Sequence, residues 1–409
     1  MLQKNKKRIE YIDALRGLMI LMVVYCHLTI LGRSDILSHT HQLGSNLDTI
    51  ISKFRMPLFF FISGFFVYSR NYSFSLFKKR ATNRIIKQLY PTLLIGLVFC
   101  VIHKNSDFIG MLYNQKKYGY WFTISAVQMF FMAVPILLCL NVNKSVSFKF
   151  HTVIISFYTL IVEILAWITM RLVPSDYVNL FGIEFFLIYF PFFIGGMLFK
   201  INYEYILSII TNKFMALGCF ISFVLGFYFL NSNIFKSLIL GFSAIIVMHY
   251  LSYKIFNHNR IKVSKVSKFL QYIGTMTLEI YLIHYFFVAI SGKLPHIKNF
   301  IAFNLDTWWE FPLVFVISII VAILCLAVIV ALKHLKVYNL IFPNVKKKDT
   351  PPHNHMIISE LYIGAFAARF LNTIFPILIT KISINPLNSI IGLSSVRLYT
   401  INSFSIYKS

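Results

Sequence analysis

The chain has 409 residues, of which 58% are hydrophobic and only 13% are charged, and its formal net charge is +25. This composition excludes an ordinary water-soluble domain. The apolar residues form about ten runs that approach the roughly 20 residues a helix needs to cross a bilayer. We therefore expect an all-α, polytopic membrane helix bundle with about ten transmembrane helices. The lipid bilayer is then an expected partner of the protein.

The connections between the apolar runs differ in charge. Lys and Arg concentrate in alternate connections, for example at 78–87 and 333–348, and this bias fixes the orientation of membrane proteins. We expect both termini to be cytoplasmic and, because orientation accounts for the basic charge, no nucleic-acid partner. The expected spans are 15–32, 54–69, 89–103, 119–140, 151–170, 180–199, 214–230, 236–252, 270–290 and 312–332.

Two regions are expected. Residues 1–342 form the membrane domain, and residues 343–409 form a cytoplasmic or membrane-peripheral tail of unknown role, because Pro343 is followed by three lysines and an Asn/Ser/Ile-rich stretch. The five cysteines lie in apolar runs without the paired spacing of a zinc site, so no metal is expected.

The first span carries polar residues that are costly in a membrane. Arg16 and His27 are 11 residues apart, which places them on one helix face about 16 Å apart along the axis. Asp13 lies one turn before Arg16, where an ion pair can form. Each residue taken alone has another explanation. Arg16 could extend its side chain to the lipid headgroups, and His27 could be a hydrogen-bonded histidine of the core. Intramembrane charges nevertheless usually mark function.

The second and ninth spans carry further polar residues. Arg55 precedes Pro57 at the start of the second span, and Ser63 with Gly64 permits close helix contact. In the ninth span, Thr277, Tyr281 and His284 share one stripe, whereas Glu279 points about 140° away from His284 towards another contact. His27 and His284 fall at matched depth, which predicts a cavity lined by several helices.

These motifs give the sequence a resemblance to acyltransferase family 3, the integral-membrane enzymes that acylate bacterial surface carbohydrates. The resemblance rests on DALRG at 13–17 followed by His27, MPLFFFISG at 56–64, the basic stretch that ends at Pro91, and YLIH at 281–284. It covers roughly residues 8–335. The second block looks like the branch of sugar O-acetylases of the fucose 4-O-acetylase kind.

The resemblance implies a multi-pass protein of the bacterial cytoplasmic membrane that moves an acyl group, preferably acetyl, from cytoplasmic acyl-CoA to a hydroxyl of an envelope carbohydrate. In that reading, Arg80, Arg84 and Lys87 hold the phosphates of coenzyme A, and its pantetheine arm runs past Arg16 towards His27. No metal is needed. The acceptor glycan and the oligomeric state stay open.

The chemical roles follow from this placement. His27 either accepts the proton of the sugar hydroxyl or takes the acyl group itself, and the sequence leaves both routes open. Arg55 or His284 stabilises the charge on the thioester oxygen. Trp121, Tyr281 and Ser63 are expected to border the substrates; an interfacial aromatic belt also explains Trp121.

Two features of the sequence limit the resemblance. The basic stretch carries Arg80 and Arg84 followed by Lys87 rather than a paired arginine, and the tail lacks the hydrolase-like domain of some family members. The rival hypothesis is a proton-coupled transporter or flippase for an envelope glycan precursor, because such carriers also need intramembrane His, Arg and Glu. The sequence shows no repeated halves that would favour the carrier.

Overall fold

The computed structural model describes residues 9–33, 45–69, 72–104, 106–142, 148–231, 233–257 and 265–343. The tail beyond residue 343 and the basic tip at Lys4–Arg8 lie outside the described residues. The helices are α1 (Glu10–Arg33), α2 (Asn46–Phe65), α3 (Phe74–Arg84), α4 (Tyr90–His103), α5 (Phe108–Tyr113), α6 (Trp121–Val142), α7 (Phe148–Leu172), α8 (Ser175–Phe181), α9 (Ile183–Ile201), α10 (Tyr203–Ile210), α11 (Lys213–Phe229), α12 (Asn233–Asn257), α13 (Lys265–Thr275), α14 (Thr277–Gly292), α15 (Pro295–Asn304), α16 (Glu310–His334) and α17 (Tyr338–Ile341).

The polytopic helix bundle that the sequence predicts is confirmed, and the described ranges contain no strand. Seven helical stretches in these ranges are long and apolar enough to cross a membrane, and two bent pairs, α10 with α11 and α13 with α14, raise the number to nine. The remaining predicted run corresponds to α2, which has 20 residues but carries Asp48, Lys53 and Arg55.

Close backbone contacts hold the helices around the site. A Cβ atom on Gly274 would lie 1.8 Å from the carbonyl oxygen of Asp13, so α13 crosses α1 with the two backbones in contact. A Cβ atom on Gly64 would lie 1.8 Å from the carbonyl oxygen of Phe193, and α2 therefore packs equally closely on α9. Small residues permit such crossings between membrane helices, as expected for Ser63 and Gly64.

The ninth predicted span is not one continuous helix, and the prediction of a single helix over 270–290 is wrong. Helices α13 and α14 meet at Met276 with a bend of 84°. The hydroxyls of Thr275 and Thr277 donate to the carbonyls of Tyr272 and Gly274, each at 2.7 Å. These side chains satisfy backbone groups that the break releases, which a helix needs in an apolar environment.

Candidate active site

One face of α1 forms the wall of a cavity of 150 Å³ that we call the Arg16 cavity. Arg16, Ile20 and Val23 contribute to this wall at successive helical turns, and His27 occupies the next position on the same face. Arg16 forms an ion pair with Asp13, with 3.7 Å between Nη1 and Oδ1. The predicted common face and the predicted ion pair are therefore both present.

The rest of the Arg16 cavity is lined by polar residues, of which some were predicted as site residues and others were not. Ser63, Arg84, Gln88 and Tyr281 line it, together with apolar side chains of α2, α6 and α14. Nη1 of Arg84 donates to Oε1 of Gln88 at 3.1 Å, and the guanidinium lies 4.7 Å above the ring centre of Phe130. Two arginines from distant parts of the chain thus border one cavity.

The other two predicted phosphate ligands lie elsewhere. Arg80 donates to the carbonyl oxygen of Val67 and lies 5.4 Å from the ring centre of Tyr72, and neither Arg80 nor the half-buried Lys87 lines the Arg16 cavity. The structure therefore separates Arg84 from Arg80 and Lys87, which the sequence grouped together.

A π-helical turn at Ile85–Leu89 connects α3 to α4 and carries Gln88. Pro91 follows it and has no amide hydrogen, and its ring would clash with a carbonyl four residues earlier in a regular α-helix. The wider turn relieves that clash, and the hydroxyl of Thr92 donates to the carbonyl of Gln88 at 2.6 Å. Such turns are frequent at functional sites.

His27 and Tyr285 form the central contact of the site. The Tyr285 hydroxyl lies 2.8 Å from Nε2 of His27, and the ring centres are 4.7 Å apart. His27 remains partly exposed, and its Nδ1 makes no hydrogen bond with a described residue. The ring of His284 lies 5.3 Å from that of His27, so the two histidines predicted at matched depth are neighbours.

His284 is fully buried, and one of its two ring nitrogens forms hydrogen bonds. Its Nδ1 lies 2.8 Å from the carbonyl oxygen of Tyr281 and 3.1 Å from that of Ile280. Both partners are acceptors, so Nδ1 carries the hydrogen of the neutral ring. Its Nε2 has no hydrogen-bond partner among the described residues. This buried atom therefore has no partner in the described part of the chain, although its ring lies beside that of His27.

A carbonyl from the loop between α5 and α6 fixes the tyrosines of α14. The Gly119 oxygen accepts from the Tyr281 hydroxyl at 2.5 Å and from the Tyr285 hydroxyl at 3.3 Å. Gly119 has a φ of +106°, and a Cβ atom there would lie 2.1 Å from Cζ of Tyr285. Only glycine fits this position without strain or collision.

The charge of Arg55 acts on both His27 and His284, and Arg55 has an acidic partner that the sequence analysis did not predict. Its Nη1 is 3.8 Å from Oδ1 of Asp48, and the two side chains are 13% and 1% exposed. Lys116 lies in the same electrostatic neighbourhood: burial and the charge of Arg55 lower the pKa of Lys116, while Asp48 opposes the shift. The centre around His27 thus carries mainly positive charge.

Trp121, which was expected to border the substrates, packs against other aromatic side chains. The Trp121 ring stacks on Phe185 at 4.1 Å and lies 5.5 Å from Tyr189. One face of the indole is therefore covered by the protein itself. Glu279, which was expected to point away from His284, accepts a hydrogen bond from the Tyr338 hydroxyl at 3.0 Å.

The sequence analysis did not identify four residues of the site, namely Tyr285, Asp48, Gln88 and Lys116. Tyr285 follows His284 directly and lies one turn after Tyr281, and Asp48 lies two turns before Arg55 on the same helix face. Those spacings were visible signals. Nothing in the sequence brought Gln88 or Lys116 to the site, because their loops and turns are placed only by folding.

Comparisons with known proteins bear on the identity of this site. The sequence model of a family, acyltransferase family 3, described as an acyltransferase domain, matches residues 9–327, a region that contains every site residue named above except Tyr338. No curated protein and no solved structure matches the chain. Because the family match spans most of the chain and its apolar helices, the chain belongs to acyltransferase family 3 and is a multi-pass membrane acyltransferase.

Proposed function

We propose that the protein is an O-acyltransferase of the bacterial cytoplasmic membrane, similar to the fucose 4-O-acetylase branch. It transfers an acyl group, preferably acetyl, from cytoplasmic acyl-CoA to a hydroxyl of an extracytoplasmic envelope carbohydrate. One observation carries the proposal: the face of α1 that lines the arginine-bordered cavity with Arg16, Ile20 and Val23 continues to His27, which contacts Tyr285.

The donor side rests on the two arginines of the Arg16 cavity. Planar guanidinium groups suit phosphate oxygens, so Arg16 and Arg84 are placed to bind the anionic part of coenzyme A. Ile20 and Val23 then offer an apolar track for the pantetheine arm. The distance from Arg16 to His27 along the helix, about 16 Å, is the reach that such an arm requires.

The chemistry starts with the acceptor hydroxyl. The hydrogen-bond geometry allows Nε2–H of His27 to donate to Tyr285, whose own hydroxyl donates to the Gly119 carbonyl. The lone pair of Nδ1 then accepts the proton of the sugar hydroxyl while its oxygen attacks the thioester carbon. The carbon–sulfur bond breaks, and the thiolate leaving group takes the proton from His27.

The charge on the thioester oxygen needs donors during this step. Arg55, whose charge acts on His27, and His284, whose ring centre is 5.3 Å from that of His27, are the candidate donors. Because Nδ1 carries the hydrogen of the neutral His284 ring, Nε2 donates only when His284 is the imidazolium. Arg55 always carries its N–H donors, whereas His284 must first gain a proton, so Arg55 is the stronger candidate for stabilising the charge on the thioester oxygen. Direct attack by His27 on the thioester is a second route that uses the same residues.

Reconstituted protein tests the proposal directly. Proteoliposomes receive radiolabelled acetyl-CoA on one side and envelope carbohydrate on the other, and label bound covalently to sugar supports the enzyme. Movement of the carbohydrate across the membrane without covalent transfer supports the rival transporter. His27→Ala should lower covalent transfer about 10²- to 10⁴-fold, as loss of a general base does.

The matched control for this substitution is His296→Ala, which changes an exposed histidine on α15. We expect His296→Ala to transfer label at the normal rate. If His27→Ala remains abundant in the membrane and transfers label normally, the catalytic role of His27 is refuted. Mass spectrometry of surface glycans from a deletion strain then identifies the acceptor.

A further inference from the structure

A second cavity, which we call the His249 cavity, has a volume of 410 Å³ and lies between α7, α9, α10 and α12. Its lining is mostly aliphatic and aromatic, and Ser156, Thr159 and His249 are its polar members. Ligand pockets typically measure about 300–1,000 Å³ and combine apolar walls with a few placed polar groups. The His249 cavity therefore has the size and the lining of a ligand site.

The His249 cavity is distinct from the candidate active site. Phe61 of α2 lines the His249 cavity, whereas the following residues, Ile62 and Ser63, line the Arg16 cavity. Helix α2 thus separates the two cavities. The residues argued above to perform acyl transfer do not line the His249 cavity.

His249 is the feature that points to a ligand. The residue is 1% exposed, and neither ring nitrogen has a hydrogen-bond partner among the described residues. Its ring contacts are with aromatic neighbours, including Phe61 at 5.4 Å and Phe199 at 5.5 Å. Neutral imidazole and imidazolium both carry at least one N–H, and a buried donor without a hydrogen-bond partner is unfavourable.

The lining also restricts the charge of the ligand. No Asp, Glu, Lys or Arg is among the residues that line the His249 cavity. The hydroxyl of Thr159 already donates to the carbonyl of Ile155, at 2.7 Å, in its own helix. A phosphate or a carboxylate would therefore be buried here without a fixed counter-charge, which is strongly unfavourable. A neutral acceptor attached to a long apolar group fits better.

The position of His249 along α12 further restricts which ligand the cavity can bind. His249 lies five residues before Lys254, or about 7.5 Å along the helix, and Tyr253 lies in between. Lysine and tyrosine at a helix end are typical of the membrane interface. His249 thus lies at the border of the hydrocarbon region. On the far side of the cavity wall, α7 exposes Phe157 and Leu160 to the surroundings.

We propose that the His249 cavity binds an acyl chain of a membrane phospholipid. The ester carbonyl of that chain accepts a hydrogen bond from the N–H of His249. The ester is neutral, it is joined to a long hydrocarbon chain, and it lies at the depth of His249. This inference concerns a site outside the transfer chemistry and stands apart from the proposed function.

Photolabelling of the full-length protein tests the inference. The protein is reconstituted in nanodiscs that contain a phospholipid with a diazirine in its acyl chain, irradiated and mapped by peptide mass spectrometry. We expect label on the parts of α9 and α12 that line the cavity to exceed label on the exposed face of α11, which includes Phe220 and Leu225, severalfold.

Substitutions sharpen the test. His249→Leu should lower cavity label about fivefold, the equivalent of one lost hydrogen bond, whereas His249→Gln keeps a donor and should retain most of it. Phe220→Leu on α11 is the control and should leave cavity label unchanged. Should His249→Leu fail to fold, Thr159→Phe, which fills the cavity from the weakly buried α7, should lower the label without altering His249.

Three outcomes would overturn the inference. Equal label in the cavity and on the face of α11 would mean that the region meets only bulk lipid. Unchanged cavity label in both His249→Leu and Thr159→Phe would remove the assigned site. Preferential cavity labelling by a free diazirine fatty acid, with none by the phospholipid, would exclude the ester. Acyl transfer is not measured in this experiment, so a failed proposed function leaves its result unaffected.

Discussion

The Tyr285 hydroxyl lies 2.8 Å from Nε2 of His27, although the two residues are 258 positions apart in the sequence. The contact joins α14 to the face of α1 that also carries Arg16. Because Tyr285 also contacts the Gly119 carbonyl, it orients the imidazole and favours one tautomer. Tyr285 is thus a positioning residue for the proposed base.

Tyr285→Phe tests this positioning role. The substitution removes only the hydroxyl, so we expect kcat for acyl transfer to fall roughly 3- to 10-fold, with little change in the KM for acyl-CoA. The measurement is steady-state label transfer in proteoliposomes. Tyr118→Phe is the control, because it removes a hydroxyl that binds Asp107 at 2.9 Å. An unchanged kcat in Tyr285→Phe would contradict the role.

Arg84→Gln and Lys87→Gln separate two basic residues that are three positions apart. Arg84 lines the Arg16 cavity, whereas Lys87 does not. Loss of a charge-assisted contact should raise the KM for acyl-CoA about 10-fold in Arg84→Gln. Lys87→Gln should leave KM nearly unchanged. The same KM increase in both variants would indicate that the whole stretch attracts the donor by charge alone.

Gly119→Ala should displace Tyr285. The added Cβ atom would lie 2.1 Å from Cζ of that ring, and the φ of +106° is unfavourable for alanine. We expect transfer to fall at least as far as in Tyr285→Phe. The double variant Gly119→Ala with Tyr285→Phe should show strong non-additivity, because both changes disturb one contact. Fully additive losses would place the effect of Gly119 elsewhere.

Lys117 provides a prediction about pH and stability. Its ammonium is buried and donates to the carbonyl oxygens of Leu112 and Asn179, the latter at 2.6 Å. Burial lowers the pKa of Lys117 from 10.5 to about 8. The unfolded chain therefore holds this proton at higher pH than the folded chain does, and the contribution of Lys117 to stability rises between about pH 8 and pH 10.5.

Thermal unfolding in detergent at pH 7.0 and pH 9.5 measures this effect. We expect Tm at pH 9.5 minus Tm at pH 7.0 to be more positive for the wild-type protein than for Lys117→Met, which removes the titrating group. Lys104→Met is the control, because it changes another lysine near this loop. Equal pH dependence in the wild-type protein and Lys117→Met would contradict the assignment.

Several features of the fold and site could be predicted from short-range pattern. Arg16 and His27 share a helix, so their spacing alone determines their common face. Asp13 pairs with Arg16 for the same reason. The length of each apolar run predicts a membrane helix, and the polar stripe at Tyr281 and His284 predicts a face towards the protein interior.

Contacts between distant segments were decided by the tertiary structure. The 84° bend at Met276 sets where α14 presents Tyr285 to His27, and the positive φ of Gly119 sets where the loop carbonyl lies. The separation of Arg84 from Lys87 follows from the π-helical turn before Pro91. The sequence by itself determined the membrane class, the family and the common face of Arg16 and His27, because local periodicity and motif spacing encode them. Only the tertiary structure decided which tyrosine contacts His27 and which arginine lines the cavity, because those contacts depend on how packed helices and loops meet.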